Sequence, residues 1–152
     1  MGLDAVKVFL KERAPQIEVI VTQEPTPTVV DAARVHNVEP GQIAKTLSLQ
    51  VKEKVFLVVT AGDVRLDNKK LKDQFGGKVK MLDAESVMKF TGHPVGGVCP
   101  FGLATPLPVY CDKSLQKYDH VLPAAGAINS AVKITPQHMA QITNATWVKV
   151  TK

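Results

Sequence analysis

A chain of 152 residues with 45% hydrophobic and 22% charged side chains has the size and balance of a globular domain that buries about two thirds of its unfolded surface, and no stretch nears the roughly 20 apolar residues of a membrane span. The net charge of +5 favours a polyanionic partner, whereas an aromatic share of 5% excludes a platform that stacks successive bases. Cys99 and Cys111 are too few and too far apart for a zinc site, and His36, His93, His120 and His138 never stand at ligand spacing, so neither a metal nor a cofactor is predicted.

The N-terminus carries Asp4 where a signal peptide would be basic, and no long apolar run follows, so a cytoplasmic protein is expected. Leu3, Val6, Phe9 and Leu10 on one side, with Lys7, Lys11 and Glu12 opposite, predict an amphipathic helix over 3–13 that ends before Pro15. Residues 16–21 alternate and then run apolar, which predicts a strand. Thr28 followed by Asp31 resembles a capping box and opens a helix with Val29, Ala32, Ala33 and His36 on one face, where His36 reads as a helix-edge residue. Two strands follow, over 42–51 and 54–60, joined by the turn Lys52-Glu53. The second is continuously apolar, as in a central strand covered on both faces.

Asp67 caps a helix that runs to Phe75 and stops at Gly76; its Lys69, Lys70 and Lys72 point outward, either as a solvated face or toward phosphate. A short strand over 79–82 precedes a helix capped by Asp83 and ending at 89–90. Strands are read at 107–111, 118–122, 131–134 and 145–150, with a glycine-bearing turn at 124–129. A helix starts at Thr135-Pro136 with Met139 and Ile142 inward. Strands and helices mix without a strict βαβ repeat, so the expected fold is one α/β domain over 1–152 around a mixed, curved sheet.

Two features stand out from this background. Residues 91–102 hold four glycines and two prolines, so they form a shaped loop able to bring backbone amides to a ligand, or else a plain connection. Lys45 interrupts a strand otherwise built of Ile43, Ala44, Leu47 and Leu49, and its ammonium either reaches the sheet edge or lines a cavity. Within the loop, Cys99 is a nucleophile or a buried inert thiol, and His93 orients a ligand or is an exposed imidazole. Phosphate-loop, dinucleotide, serine-hydrolase and zinc-protease signatures are absent from the chain.

The segments Glu39-Pro40-Gly41-Gln42-Ile43-Ala44-Lys45-Thr46-Leu47, Arg65-Leu66-Asp67-Asn68-Lys69-Lys70-Leu71 and Gly96-Gly97-Val98-Cys99-Pro100-Phe101-Gly102, in that order, resemble the YbaK/ProX family of aminoacyl-tRNA deacylases, related to the editing domain of bacterial prolyl-tRNA synthetase. The resemblance runs from about residue 16 to 150. It implies a barrel-like mixed sheet with flanking helices and a trans-acting enzyme that hydrolyses the ester of mischarged tRNA, commonly tRNA for proline carrying cysteine, alanine or another small amino acid. Prolyl-tRNA synthetase is the implied protein partner. The resemblance makes Lys45 the signature pocket residue and lets the motif from Gly96 to Pro100 shape the pocket around the ester, with Gly97, Val98 and Gly102 in the same run. Cys99 stands where many relatives carry serine, and the turn ending in Asn129 also resembles a family feature. Such an ester needs only positioning and donors aimed at the developing oxyanion, so the absence of a catalytic triad is no objection. A module that binds tRNA or a synthetase without catalysis is the alternative.

Overall fold

The structure, a computed structural model, describes residues 2–152. Helix α1 (Leu3–Arg13) buries Val6 and Leu10 and leaves Lys7 and Lys11 in solvent, as its apolar spacing requires. Strand β1 is only Ile20–Val21, shorter than expected over 16–21. Its partner β7 (Ser130–Ala131) offers two residues, Ala131 opposite Ile20 and Ser130 opposite Val21, and the Ile17 N–H closes a turn onto Ala14 O at 2.9 Å. The alternation there reports burial without a ladder, since Ile17 and Val19 pack on the core.

Helix α2 (Val29–His36) starts at Thr28, whose hydroxyl accepts the Asp31 N–H at 3.1 Å. A single 3-10 turn, Pro40–Gln42, then delivers the chain to β2 (Ile43–Val51), which pairs antiparallel with β3 (Lys54–Ala61). Strand β3 is covered on both faces: Leu57 and Val59 point to one side, Phe56 and Val58 to the other, and none is more than 4% exposed. Helix α3 (Asn68–Phe75) is capped by Asp67, whose carboxylate accepts the N–H groups of Lys69 and Lys70. Strand β4 (Lys80–Met81) and α4 (Ala84–Thr91) follow; the Asp83 cap accepts from Ser86 N–H at 2.8 Å, and the helix runs one residue past its expected end.

After the loop come β5 (Val109–Asp112), β6 (Leu122–Pro123), β7, α5 (Pro136–Ile142) and β8 (Thr146–Val148). The strands expected at 118–122 and 131–134 are mostly absent. Asp112 caps a 3-10 helix over Lys113–Lys117 that carries the chain off the sheet. Beyond β6 and β7, only single bridges join Val121 to Ile134 and Ala124 to Ala131. The main sheet has the order β4-β2-β3-β5-β8, with β6 also pairing with β2. It mixes antiparallel pairs with the parallel pairs β2–β6, β3–β5 and β5–β8. The sheet is therefore mixed as expected, but it is an open sheet with β4 and β8 at its ends, not one closed into a barrel.

On one face α1, α5 and the loop residues Cys99 and Phe101 pack against Leu57, Val59 and Cys111. On the other, α3 supplies Leu71 to a cluster with Leu49, Val51, Phe56 and Val58. The C-terminal segment is pinned by the fully buried Asp112, which accepts from Val150 N–H at 2.8 Å, Thr151 Oγ1 at 2.9 Å and Ser114 N–H at 3.0 Å. Among the described residues no helix is long and apolar enough to cross a membrane.

Candidate functional site

The outer edge of β2 is incompletely covered. Strand β6 pairs with Ile43 and Ala44, β4 pairs with Leu49 and Gln50, and no strand lies alongside residues 45–47. The Ser48 carbonyl faces this edge, where it accepts from Leu82 N–H at 3.0 Å, while Leu57 opposite it donates in the other direction, to Pro108 O at 3.0 Å. Outward-facing positions alternate along an antiparallel strand, so the N–H and C=O of Thr46 point into the gap. A cavity of about 280 Å3 opens here. Residues from both faces of β2 reach it because it lies at the strand's edge: Lys45 and Leu47 from one, Ala44, Thr46 and Ser48 from the other.

Its walls are mostly apolar, with Val29 and Ala32 from α2, Met81 and Leu82 at β4, Val87 of α4, and Leu122 and Ala131 from β6 and β7. The loop closes the cavity with Val95, Gly96 and Val98. Gly96 has φ 91°, a conformation other residues rarely adopt, and a Cβ there would press on Pro27 at 3.1 Å. A Cβ on Gly97 would meet the Ala127 backbone at 2.7 Å, so only glycine lets the loop lie flat on the 124–129 turn. Gly97 is tied down on both sides: its N–H donates to Pro94 O and its carbonyl accepts from Gly126 N–H, both at 2.9 Å. Among the described residues no backbone acceptor faces the N–H of Gly96 or Val98.

Three polar side chains give the cavity its chemistry. Lys45 is half-buried, and its Nζ donates to Val64 O at 2.9 Å, which leaves two N–H groups of the ammonium for other partners. Burial pushes its pKa below the usual lysine value, with nearby Asp63 opposing and Arg65 assisting that shift. Thr46 Oγ1 and His36 Nε2 are buried and have no hydrogen-bond partner, and both residues line the cavity. Burial also lowers the His36 pKa, which favours neutral imidazole. An unpartnered buried polar atom costs about 1–3 kcal/mol. Two in one cavity mark a place for a polar ligand.

The residues singled out in the sequence divide in space. Lys45, Gly96 and Val98 meet in the cavity. Gly97 lies one residue behind its wall, and Gly102 packs on α1, where a Cβ would meet Ala5 O at 2.6 Å. His93 is not an exposed loop residue: it is fully buried, and its Nε2 lies 2.7 Å from Phe101 O. A carbonyl only accepts, so Nε2 carries the proton. Cys99 and Pro100 are buried as well. The Cys99 thiol shares the Phe101 carbonyl at 3.7 Å, and burial pushes its pKa up to about 12, which makes it an inert core group. Asn129 Nδ2 donates to Thr22 O at 3.0 Å and so supports the β1–β7 pairing from outside the cavity lining. Thr46 is not among the residues singled out in the sequence, and His36, expected at a helix edge, lines the cavity instead. The signals were there: His36 continues the apolar stripe of α2, and Thr46 and Ser48 set two hydroxyls on one face of an otherwise apolar strand.

The sequence model of the aminoacyl-tRNA editing domain matches residues 23–142. The uncharacterized protein YwhH of Bacillus subtilis is 38% identical over 100% of this chain and 98% of its own length. The proline–tRNA ligase of Citrifermentans bemidjiense is 31% identical over 70% of this chain, which spans only 19% of that ligase. Among solved structures, a candidate trans-editing enzyme for prolyl tRNA synthetase superposes with a TM-score of 0.92 at 30% identity, covering 99% of this chain and 96% of that one.

Proposed function

The chain belongs to the aminoacyl-tRNA editing domain family, and from that premise we propose that it acts in trans as a deacylase on mischarged tRNA, taking tRNA for proline that carries alanine, cysteine or another small amino acid. Similarity to a proline–tRNA ligase and to a candidate trans-editing enzyme supports this choice of tRNA and of prolyl-tRNA synthetase as companion enzyme. The observation that carries the reading is the convergence of Lys45, Thr46 Oγ1 and His36 Nε2 on one small, apolar-walled cavity. A volume of about 280 Å3 lies just below the range of about 300–1,000 Å3 usual for ligand pockets, which suits a small aminoacyl group.

In this reading water adds to the ester carbonyl carbon, the bond from that carbon to the ribose oxygen breaks, and the ribose oxygen leaves with a proton. Charge develops on the carbonyl oxygen, and the amides of Gly96, Val98 and Thr46 are the donors available to it. Lys45 holds a hydroxyl or phosphate oxygen of the terminal adenosine through its free N–H groups. Neutral His36 and Thr46 Oγ1 accept from the substrate's α-ammonium. Single-turnover deacylation of proline tRNA charged with alanine, cysteine, serine, threonine or 2-aminobutyrate tests the proposal. Release of at least one small residue, with prolyl-tRNA left intact, is expected. Tight tRNA binding with no release from any member of the panel would leave a binding module in its place.

A further inference from the structure

Residues 50–80 carry eight basic and four acidic side chains, so this fifth of the chain supplies +4 of the net +5. The fold gathers part of that charge at one end of the sheet. Lys52 in the β2–β3 turn and Lys54 just after it share a shallow depression with Glu53 and with Phe75 and Gly76 at the end of α3. Gly77 packs over Val51, where a Cβ would meet Val51 Cγ1 at 3.0 Å, and this brings Lys78 alongside. Lys80 sits opposite Gln50 in the β2–β4 ladder. Lys69 and Lys72, three apart on α3, share a helix face. All six of these lysines are exposed, and the ion pair found among the described residues, Arg34 with Glu24, lies elsewhere. The stripe also begins at the cavity, because Met81, next to Lys80, lines it.

We propose that this lysine stripe, from β4 through the β2–β3 turn to α3, holds the backbone phosphates of the acceptor-stem duplex while the single-stranded 3′ end enters the cavity at Met81. This rests on the reading of the chain as a tRNA deacylase and adds where the stem lies. From Met81, opposite Leu49, to the Lys52–Lys54 turn is three to four strand residues, or about 10–13 Å. An A-form RNA strand passes a phosphate roughly every 3 Å of its axis, so that span reaches about four phosphates.

The test replaces Lys54, Lys72, Lys78 and Lys80 together by glutamine and compares this variant with a control that neutralises Lys7, Lys11, Lys113 and Lys149, which removes the same charge elsewhere. Anisotropy titrations with an uncharged acceptor-stem RNA hairpin across a salt series give the primary readout. Deacylation of mischarged proline tRNA and of an aminoacyl-adenosine ester gives the second. The stripe variant is expected to bind the hairpin on the order of 10–100-fold more weakly, with a salt slope shallower by about 3. It should lose tRNA turnover through KM and keep its rate on the small ester, and the control should stay within threefold of wild type. Equal losses in the two variants would overturn the inference in favour of net charge alone. Unchanged hairpin binding by the stripe variant would overturn it while leaving the deacylase reading in place. Failure of the wild-type protein to deacylate any charged tRNA would instead overturn that reading.

Discussion

Replacing Lys45 by methionine separates a working ammonium from a structural one. The change keeps the aliphatic stem that lines the cavity and removes the charge and its bond to Val64 O at 2.9 Å. For the fold, two effects oppose each other. A charge-assisted hydrogen bond is lost, nominally about 1.5–3 kcal/mol and less for a partly solvated group, but a half-buried ammonium whose pKa burial has already lowered is relieved of desolvation. The net change should stay within about 1 kcal/mol, or roughly 2–4 °C in Tm for a domain of this size. For catalysis nothing offsets the loss. An ammonium that orients the terminal adenosine in the transition state is worth about 2–4 kcal/mol, or roughly thirty- to a thousand-fold in kcat/KM. The pH profile adds a second signature. The charged form exists below the Lys45 pKa, which burial lowers from the ordinary lysine value, so the Lys45-dependent part of the rate is full below that pKa and falls as pH rises through it. Methionine should abolish that alkaline limb, and arginine, a wider planar fork, should restore the rate only in part. Single-turnover deacylation from pH 6 to 10, corrected for spontaneous hydrolysis, with thermal melts of each variant, measures both. A Lys45→Met rate within threefold of wild type at every pH would refute the role.

Three further outcomes follow from the packing. Gly97→Ala sets a methyl against the Ala127 backbone at 2.7 Å, so the loop should lift at a cost of about 1–3 kcal/mol and turnover should fall more than tenfold; a wild-type melt with wild-type turnover would mean that the loop is slack. Cys99 is fully buried and its thiol is raised to about 12, so the folded protein should resist alkylation there at pH 8, and Cys99→Ser should keep at least half of the activity; an inactive but folded serine variant would return the thiol to the chemistry. Asp112→Ala strips two buried donors and one half-buried donor of their acceptor, which should cost about 3 kcal/mol and lower Tm by roughly 6–12 °C, as calorimetry would record.

What could be read in the sequence was local chemistry. Thr28, Asp67, Asp83 and Thr135 each cap the helix assigned to them, because a cap is decided within three or four residues. The apolar run of β3 foretold its place between two strands. Lys45 was legible as an oddity on an apolar strand, and three motifs in order pointed to the family whose model matches residues 23–142. What stayed hidden depends on contacts that no local pattern displays. His93 is buried because Phe101 folds back over it to offer a carbonyl. Asn129 was assigned to the site, but its amide serves Thr22, 107 positions away. The strand expected at 118–122 shrinks to β6 because, after the 3-10 helix over Lys113–Lys117, only Leu122 and Pro123 come alongside β2, opposite Ile43 and Ala44.

The gap along β2 bears on how such a pocket can evolve. Its floor is partly the peptide backbone of Thr46, which every amino acid except proline supplies unchanged. Drift at positions 44, 46 and 48 can therefore reshape the cavity, swapping a hydroxyl for a methyl or a methyl for a hydrogen, without deleting the hydrogen-bonding groups beneath. In the proposed function, selectivity for one amino acid over another rests on the side chains of these positions, and the grip on the ester rests on their backbone. A lineage could change the first many times over while inheriting the second intact.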